Sequence, residues 1–172
     1  MSDVQCKDLS KDRAIGEFWE REFCKLMARQ GKTFTPLQIG RKSSAQWVGY
    51  SGRWHSRALP DVTVWTHPGE HHEIKHKTTN RHDSYGLERY RFEALCAFAE
   101  ETKQAVMYTI HDHGGNRNSR RGIWLTANIN DLSVVPYKVF PGDSWVNGVK
   151  KRVPIMYWPR RHWVPLLLDS AE

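Results

Sequence analysis

The chain has 172 residues, 39% of them hydrophobic, and a formal net charge of +7. That length suits a single domain with a sizeable core, and no apolar run approaches the length of a membrane-spanning helix, so no membrane role is expected. Cys6, Cys24 and Cys96 are an odd count without Cys-x-x-Cys spacing, and Met1-Ser2-Asp3-Val4 does not read as a signal peptide, so a reduced, cytoplasmic chain is expected.

After Ser10, which can cap a helix, Ile15, Phe18, Trp19, Phe23, Leu26 and Met27 fall at helical spacing and stop at Gln30-Gly31. Glu20 lies on the flank of this stripe. Glu22 falls inside it, where a carboxylate needs a partner. Surface charge is the plain alternative for both, and for Glu17.

Between Glu22 and Asp61 there is no acidic residue, while Lys25, Arg29, Lys32, Arg41, Lys42, Arg53 and Arg57 are all basic; elsewhere the basic residues only balance the 19 acidic ones. The same segment carries Trp47, Tyr50, Trp54 and His55, punctuated by Gly40, Gly49 and Gly52. Such a stretch suits phosphate contact and base stacking, with Arg41, Lys42, Arg53 and Arg57 as the expected DNA contacts. A solvated hairpin whose aromatics pack on a sheet fits it equally.

Asp61-Val62-Thr63-Val64-Trp65 alternates as a strand, with Val62 and Val64 on one face and Asp61, Thr63 and Trp65 on the other. Pro68-Gly69 marks a turn, and His71 to Lys77 returns as a second strand, which puts Glu73 and Lys75 on one face and Ile74 on the other. A tight turn centred on Pro68-Gly69 sets Glu73 opposite Val64 and leaves Asp61 roughly 10 Å along the strand. A shared site at Asp61 and Glu73 therefore requires a bulge or an asymmetric connection. Two carboxylates are oxygen ligands of the kind Mg²⁺ takes, and a lysine beside them can steer a water and offset charge on a phosphate.

A second helix is expected from about Tyr85 to Lys103, with Leu87, Tyr90, Ala94, Leu95 and Phe98 facing inward, then strands over Ala105 to Ile110 and Gly122 to Ile129. The polar loop between those strands, with Arg117, Arg120 and Arg121, is a further candidate DNA contact or a solvated turn. From Ser144 to Leu168 basic and aromatic residues alternate with Pro154, Pro159 and Pro165, which argues for extended segments. The order α-β-β-β-α-β predicts an α/β fold, a mixed central sheet flanked by helices.

Pro60-Asp61 followed by Glu73-Ile74-Lys75 resembles the motif of the PD-(D/E)xK nuclease superfamily, whose core is a sheet with one helix before the strand pair and one after it. Gly16-Glu17-Phe18-Trp19-Glu20 resembles the first-helix signature of its archaeal-type Holliday-junction resolvases, in which a glutamate four residues after a glycine joins the metal site. The resemblance covers roughly residues 13 to 131 and leaves 132 to 172 as an extension of unknown role. It implies a restriction-endonuclease-like core and a Mg²⁺-dependent endodeoxyribonuclease, with Mn²⁺ able to substitute, acting on branched or otherwise structured DNA. It also implies that Asp61, Glu73, Glu20 and the Ile74 carbonyl hold the metal, that Lys75 orients or deprotonates the nucleophile, and, by analogy, a homodimer.

Two other readings stand beside it. One is a nucleic-acid-binding protein on the same fold that does not cleave. The other is a zinc protease, since His72-Glu73-Ile74-Lys75-His76 matches His-Glu-x-x-His, a pattern that works only on a helix. For His71, His72 and His76, solvated histidines on a basic surface are the expected alternative to a metal site.

Overall fold

Trp19, Phe23 and Met27, four residues apart, make one buried stripe along helix α1 (Leu9–Arg29), while Ile15 and Phe18 near its start stay largely exposed. The computed structural model describes residues 9–37, 45–50, 53–58, 60–66, 69–77, 83–114, 122–146 and 149–166. After α1 come β1 (Phe34–Pro36), β2 (Ala45–Tyr50), β3 (Arg53–Ala58), β4 (Val62–Val64), β5 (Glu70–Lys77), β6 (Ser84–Glu88), α2 (Arg89–Thr102), β7 (Ala105–Asp112) and β8 (Ile123–Asn128). Then follow α3 (Ile129–Val134), β9 (Lys138–Val146), β10 (Val149–Pro159), a 3₁₀ turn at Arg160–His162 and β11 (Val164–Pro165).

Six strands form the main sheet in the order β1-β4-β5-β7-β8-β11, with β5 and β7 parallel and the other neighbours antiparallel. A parallel pair needs a long crossover, here supplied by β6 and α2. On one face Phe23, Cys24 and Met27 of α1 pack against Val62, Val64 and Ile74. On the other, Phe92, Leu95 and Ala99 of α2 and Ile129 and Leu132 of α3 cover Val106, Tyr108, Ile110, Leu125 and Ala127. Phe23 is fully buried, and burial of such a side chain contributes roughly 1.5–3 kcal/mol. The architecture is the mixed sheet flanked by helices that the sequence predicts. Among the described residues no helix is long and apolar enough to cross a membrane.

One requirement is met and two expectations need correction. The β4–β5 connection is longer than a tight turn, as a shared site at Asp61 and Glu73 requires: Val64 pairs with Glu70 and Val62 with His72, so residues 65–69 form the connection and the register shifts by three. The second helix starts at Arg89, because Ser84–Glu88 is a strand paired with β10. Gly86 permits that pairing, since a Cβ there would lie 2.6 Å from the Tyr157 ring. With the start moved, the buried face is Arg91, Phe92, Leu95 and Ala99, and Tyr90 is exposed. Finally, Ile129 opens α3 rather than ending β8, because Asn128 caps a helix by accepting from the Asn130 backbone N–H at 2.9 Å.

From residue 144 to 165 the described chain is strand apart from the 3₁₀ turn at Arg160–His162 and the residue after it, in keeping with its prolines, and it feeds the core. Met156, Trp158 and Trp163 join the cluster around Leu95, and β11 closes one edge of the main sheet. The acid-free segment contributes the β2–β3 hairpin. Arg53 and Arg57 lie on its second strand, with side chains outside the described set; Arg41, Lys42, Arg117, Arg120 and Arg121 fall outside the described residues altogether.

Candidate active site

β4 is three residues long, so the main sheet opens a notch beside β5 where β4 ends, and Asp61 sits at its lip. The Asp61 backbone N–H still bonds to the His72 carbonyl at 2.8 Å, but its side chain takes over from the missing strand: Oδ2 accepts the Ile74 backbone N–H at 2.7 Å. In an antiparallel ladder a residue's N–H and C=O turn to the same neighbour. The Ile74 carbonyl therefore faces the notch as well.

Strand alternation puts Glu73 and Lys75 on the α2 face, where Lys75 Nζ pairs with Glu73 Oε1 and lies 4.0 Å from Asp61 Oδ2. Glu73 is wholly buried. Its second partner is one that sequence reading missed. Arg91 of α2 is 6% exposed and grips Glu73 with both arms of its guanidinium, Nε to Oε1 at 3.0 Å and a terminal nitrogen to Oε2 at 2.5 Å. The available signal is helical spacing: a helix begun at Arg89 lines Arg91 up with Leu95 and Ala99, and an arginine on a buried face needs a carboxylate.

The electrostatics follow from burial. Burial, with the neighbouring charge of Glu73, pushes the Asp61 carboxyl up to about 7 against the pull of Lys75 and Arg91. For Glu73, burial acts in the same direction, but Arg91 and Lys75 outweigh it and hold the group below the ordinary carboxylate range. Lys75 is desolvated, yet Glu73 and Asp61 keep its ammonium above the usual lysine value.

Of the three helix carboxylates, Glu20 is the one electrostatically linked to this centre. Burial raises its carboxyl, Lys75 opposes and Glu73 adds to the rise. Its Oε2 is buried and, among the described residues, has no hydrogen-bond partner. Glu22, which helical phase had favoured, instead pairs with Lys25 at 2.7 Å on the surface.

Three buried or half-buried carboxyls thus face two cations, and the backbone adds a carbonyl. All the donors are oxygen, which suits a hard divalent cation, and such a cation would give the Glu20 oxygen that has no partner among the described residues a ligand and would favour the ionised form of Asp61. No ready-made group of three or more ligands exists among the described residues. Both Glu73 oxygens are engaged by Arg91, and one of them by Lys75 as well.

On the opposite face His72, Ile74 and His76 look toward α1. The His72 Nδ1 is 2.8 Å from the Thr109 hydroxyl and its ring packs on Phe23. Trp19 stacks over His76 and over His111, at 5.1 and 3.7 Å between ring centres. Residues 70–77 are strand, so the His-Glu-x-x-His pattern lacks the helix on which a zinc protease depends. The histidines are not solvated either. His71 and His72 are buried, and His71 bonds Thr63 at 2.8 Å and the Gln104 side chain.

No protein-family model matches the chain, and no curated protein matches it. Among solved structures it is similar to Hjc, a Holliday junction resolvase from the archaeal hyperthermophile Archaeoglobus fulgidus, at 14% identity and a TM-score of 0.45, over 67% of this chain and 78% of that one.

Proposed function

We propose that the protein is a divalent-metal-dependent endodeoxyribonuclease that hydrolyses phosphodiester bonds in branched or otherwise structured DNA. The observation that carries this reading is the convergence of Asp61, Glu73 and Lys75 on one notch of the sheet, with the Ile74 carbonyl turned the same way. The first-helix pattern ending in Glu20 supports the preference for branched substrates. In this reading Asp61, Glu20, Glu73 and the Ile74 carbonyl would hold a Mg²⁺ ion. Such an ion, when bound, neutralises phosphate charge and makes a bound water more acidic.

The chain's own residues do the rest. Lys75, kept protonated by its two carboxylates, donates to the attacking water or a phosphate oxygen; it orients rather than deprotonates. Asp61, whose carboxyl burial and Glu73 push up to about 7 in the metal-free chain, would be held as a carboxylate once a cation binds. Arg91 fixes Glu73 in one orientation and limits how many of its oxygens reach a ligand.

That same grip favours a second reading, a DNA-binding protein that does not cleave. One experiment separates them. Wild type, Asp61→Ala and Glu73→Ala are incubated with linear, single-stranded, flapped and four-way DNA in Mg²⁺. The nuclease reading expects cleavage by the wild type, strongest on branched DNA, and at least a hundredfold loss in both variants, with DNA binding retained. Binding without cleavage by the wild type supports the scaffold reading, and cleavage persisting in both variants removes the site assignment.

A further inference from the structure

The face of β5 that carries Glu73 and Lys75 continues to Lys77, and beyond it lies a cavity of about 200 Å³. Lys77 and Glu88 line it with charge, Tyr157 with its ring, and Ser84, Tyr85, Gly86 and Ile155 complete the walls. It is large beside a single water at ~30 Å³ and small beside the roughly 300 Å³ or more of a drug-sized site. One flat heterocycle fills such a space.

Its walls are arranged for a ring with polar edges. Tyr157 lies opposite Gly86 across the β6–β10 pair, and its ring occupies the space that a Cβ would take. The Gly86 carbonyl is itself committed to the Tyr108 hydroxyl at 2.9 Å. Glu88 accepts from the Ser144 hydroxyl at 3.0 Å and keeps acceptor capacity, while Lys77 supplies donors. Burial disfavours the Lys77 charge and Glu88 sustains it, so the two act as an opposed pair. A dianionic terminal phosphate meets Glu88 and is repelled. A base edge, with donors and acceptors side by side, satisfies both groups.

Position sets which base. Lys75 and Lys77 are two residues apart on one strand face, ~6.6 Å at a rise of ~3.3 Å per residue, comparable with one nucleotide step of an extended strand. Glu88 also feels the Lys75 charge, so cavity and notch adjoin. We infer that this cavity is a nucleobase pocket holding one unpaired base next to the scissile phosphate, so that the preferred DNA carries an unpaired nucleotide at the cleavage point. An already unpaired base is the least costly to extrude. The inference rests on the nuclease reading, and it names the substrate feature that the site selects.

The test is a walk of single abasic residues through a flapped substrate, on both sides of the cleaved bond, read as cleavage in Mg²⁺ and as binding in Ca²⁺. The expected result is one position, a nucleotide from the scissile phosphate, where loss of the base lowers cleavage and binding about tenfold. Tyr157→Ala and, independently, the half-exposed Lys77→Ala should bring intact DNA down to the abasic level and flatten the walk. A wild type that cleaves with a flat walk overturns the pocket and leaves the nuclease reading standing. Dependence on a 5′-phosphate with a flat walk overturns it equally. If the wild type cleaves nothing, the nuclease reading falls and the binding walk alone decides: one sensitive position upholds the pocket, none overturns it.

Discussion

The two faces of β5 are made by alternate residues of one eight-residue strand, yet they solve opposite problems. Toward α1, His72, Ile74 and His76 pack against Phe23, Trp19 and His111 as an aromatic layer. Toward α2, Glu73 and Lys75 are locked with Arg91 into a network of full charges. One face obtains its order from shape and ring stacking, worth about 0.5–1.5 kcal/mol per aromatic pair beyond area burial. The other is held by mutual charge compensation, which is fragile to the loss of any one member. A strand can therefore carry a rigid packing face and an electrostatic face at once, provided each charge has a partner in a different element.

The sharpest way to break the comparison is Arg91→Ala. It strands the Glu73 carboxylate without its main partner and is expected to cost about 3–5 kcal/mol in denaturant unfolding. Combining Arg91→Met with Glu73→Gln should recover most of that loss, because the two buried charges disappear together. A small effect of the single change would mean that water or Lys75 carries Glu73 alone.

The packing face is expected to fail with acid. Burial, aided by the adjacent His113 and opposed by Asp112, lowers the His111 imidazole to about 4. The unfolded chain, with an ordinary value near 6.5, binds the proton first. This contribution is intact above pH 6.5 and is lost as pH falls toward 4, reaching about 3 kcal/mol. His111→Phe should flatten that part of the stability–pH curve.

Asp61 supplies an effect of comparable size and opposite sense. Its folded-state carboxyl near 7 lies above the unfolded value, so wild type loses stability as pH rises from about 4 to 7. Asp61→Asn should then be more stable than wild type at pH 7.5, by on the order of 4 kcal/mol, with the difference vanishing near pH 4. In the nuclease reading the same variant is inactive. The smallest effect belongs to Glu22→Ala, about 0.3 kcal/mol from the lost pair with Lys25, with cleavage unchanged, whereas Glu20→Ala should lower cleavage.

Alternation and helical stripes made much of this legible. Val62 and Val64 announced one buried face, Glu73 and Lys75 one charged face, and Trp19, Phe23 and Met27 the stripe of α1. Arg91 stayed hidden because the helix start was placed before Glu88, and a strand at Ser84–Glu88 exists only through its partner β10, more than sixty residues later in the chain. The buried histidines were illegible for a related reason: the hydroxyls of Thr63 and Thr109 that satisfy them come from other strands. Of the basic residues expected to hold DNA, Arg53 and Arg57 were legible only as members of a hairpin strand.

The connection over residues 65–69 has a consequence for how such a chain can vary. The point at which it turns sets the register of β4 on β5. Tightening it to a two-residue turn at Pro68-Gly69, with the chain length unchanged, would slide the strand by three positions, an odd number that also turns Val64 onto the charged face beside Glu73. Removing residues from the connection leaves Val64 opposite Glu70, so the pairing tolerates a change of length here better than a change in where the chain turns. In a lineage of such proteins, the number of residues between Asp61 and Glu73 can therefore drift while the pairing of the two strands stays fixed.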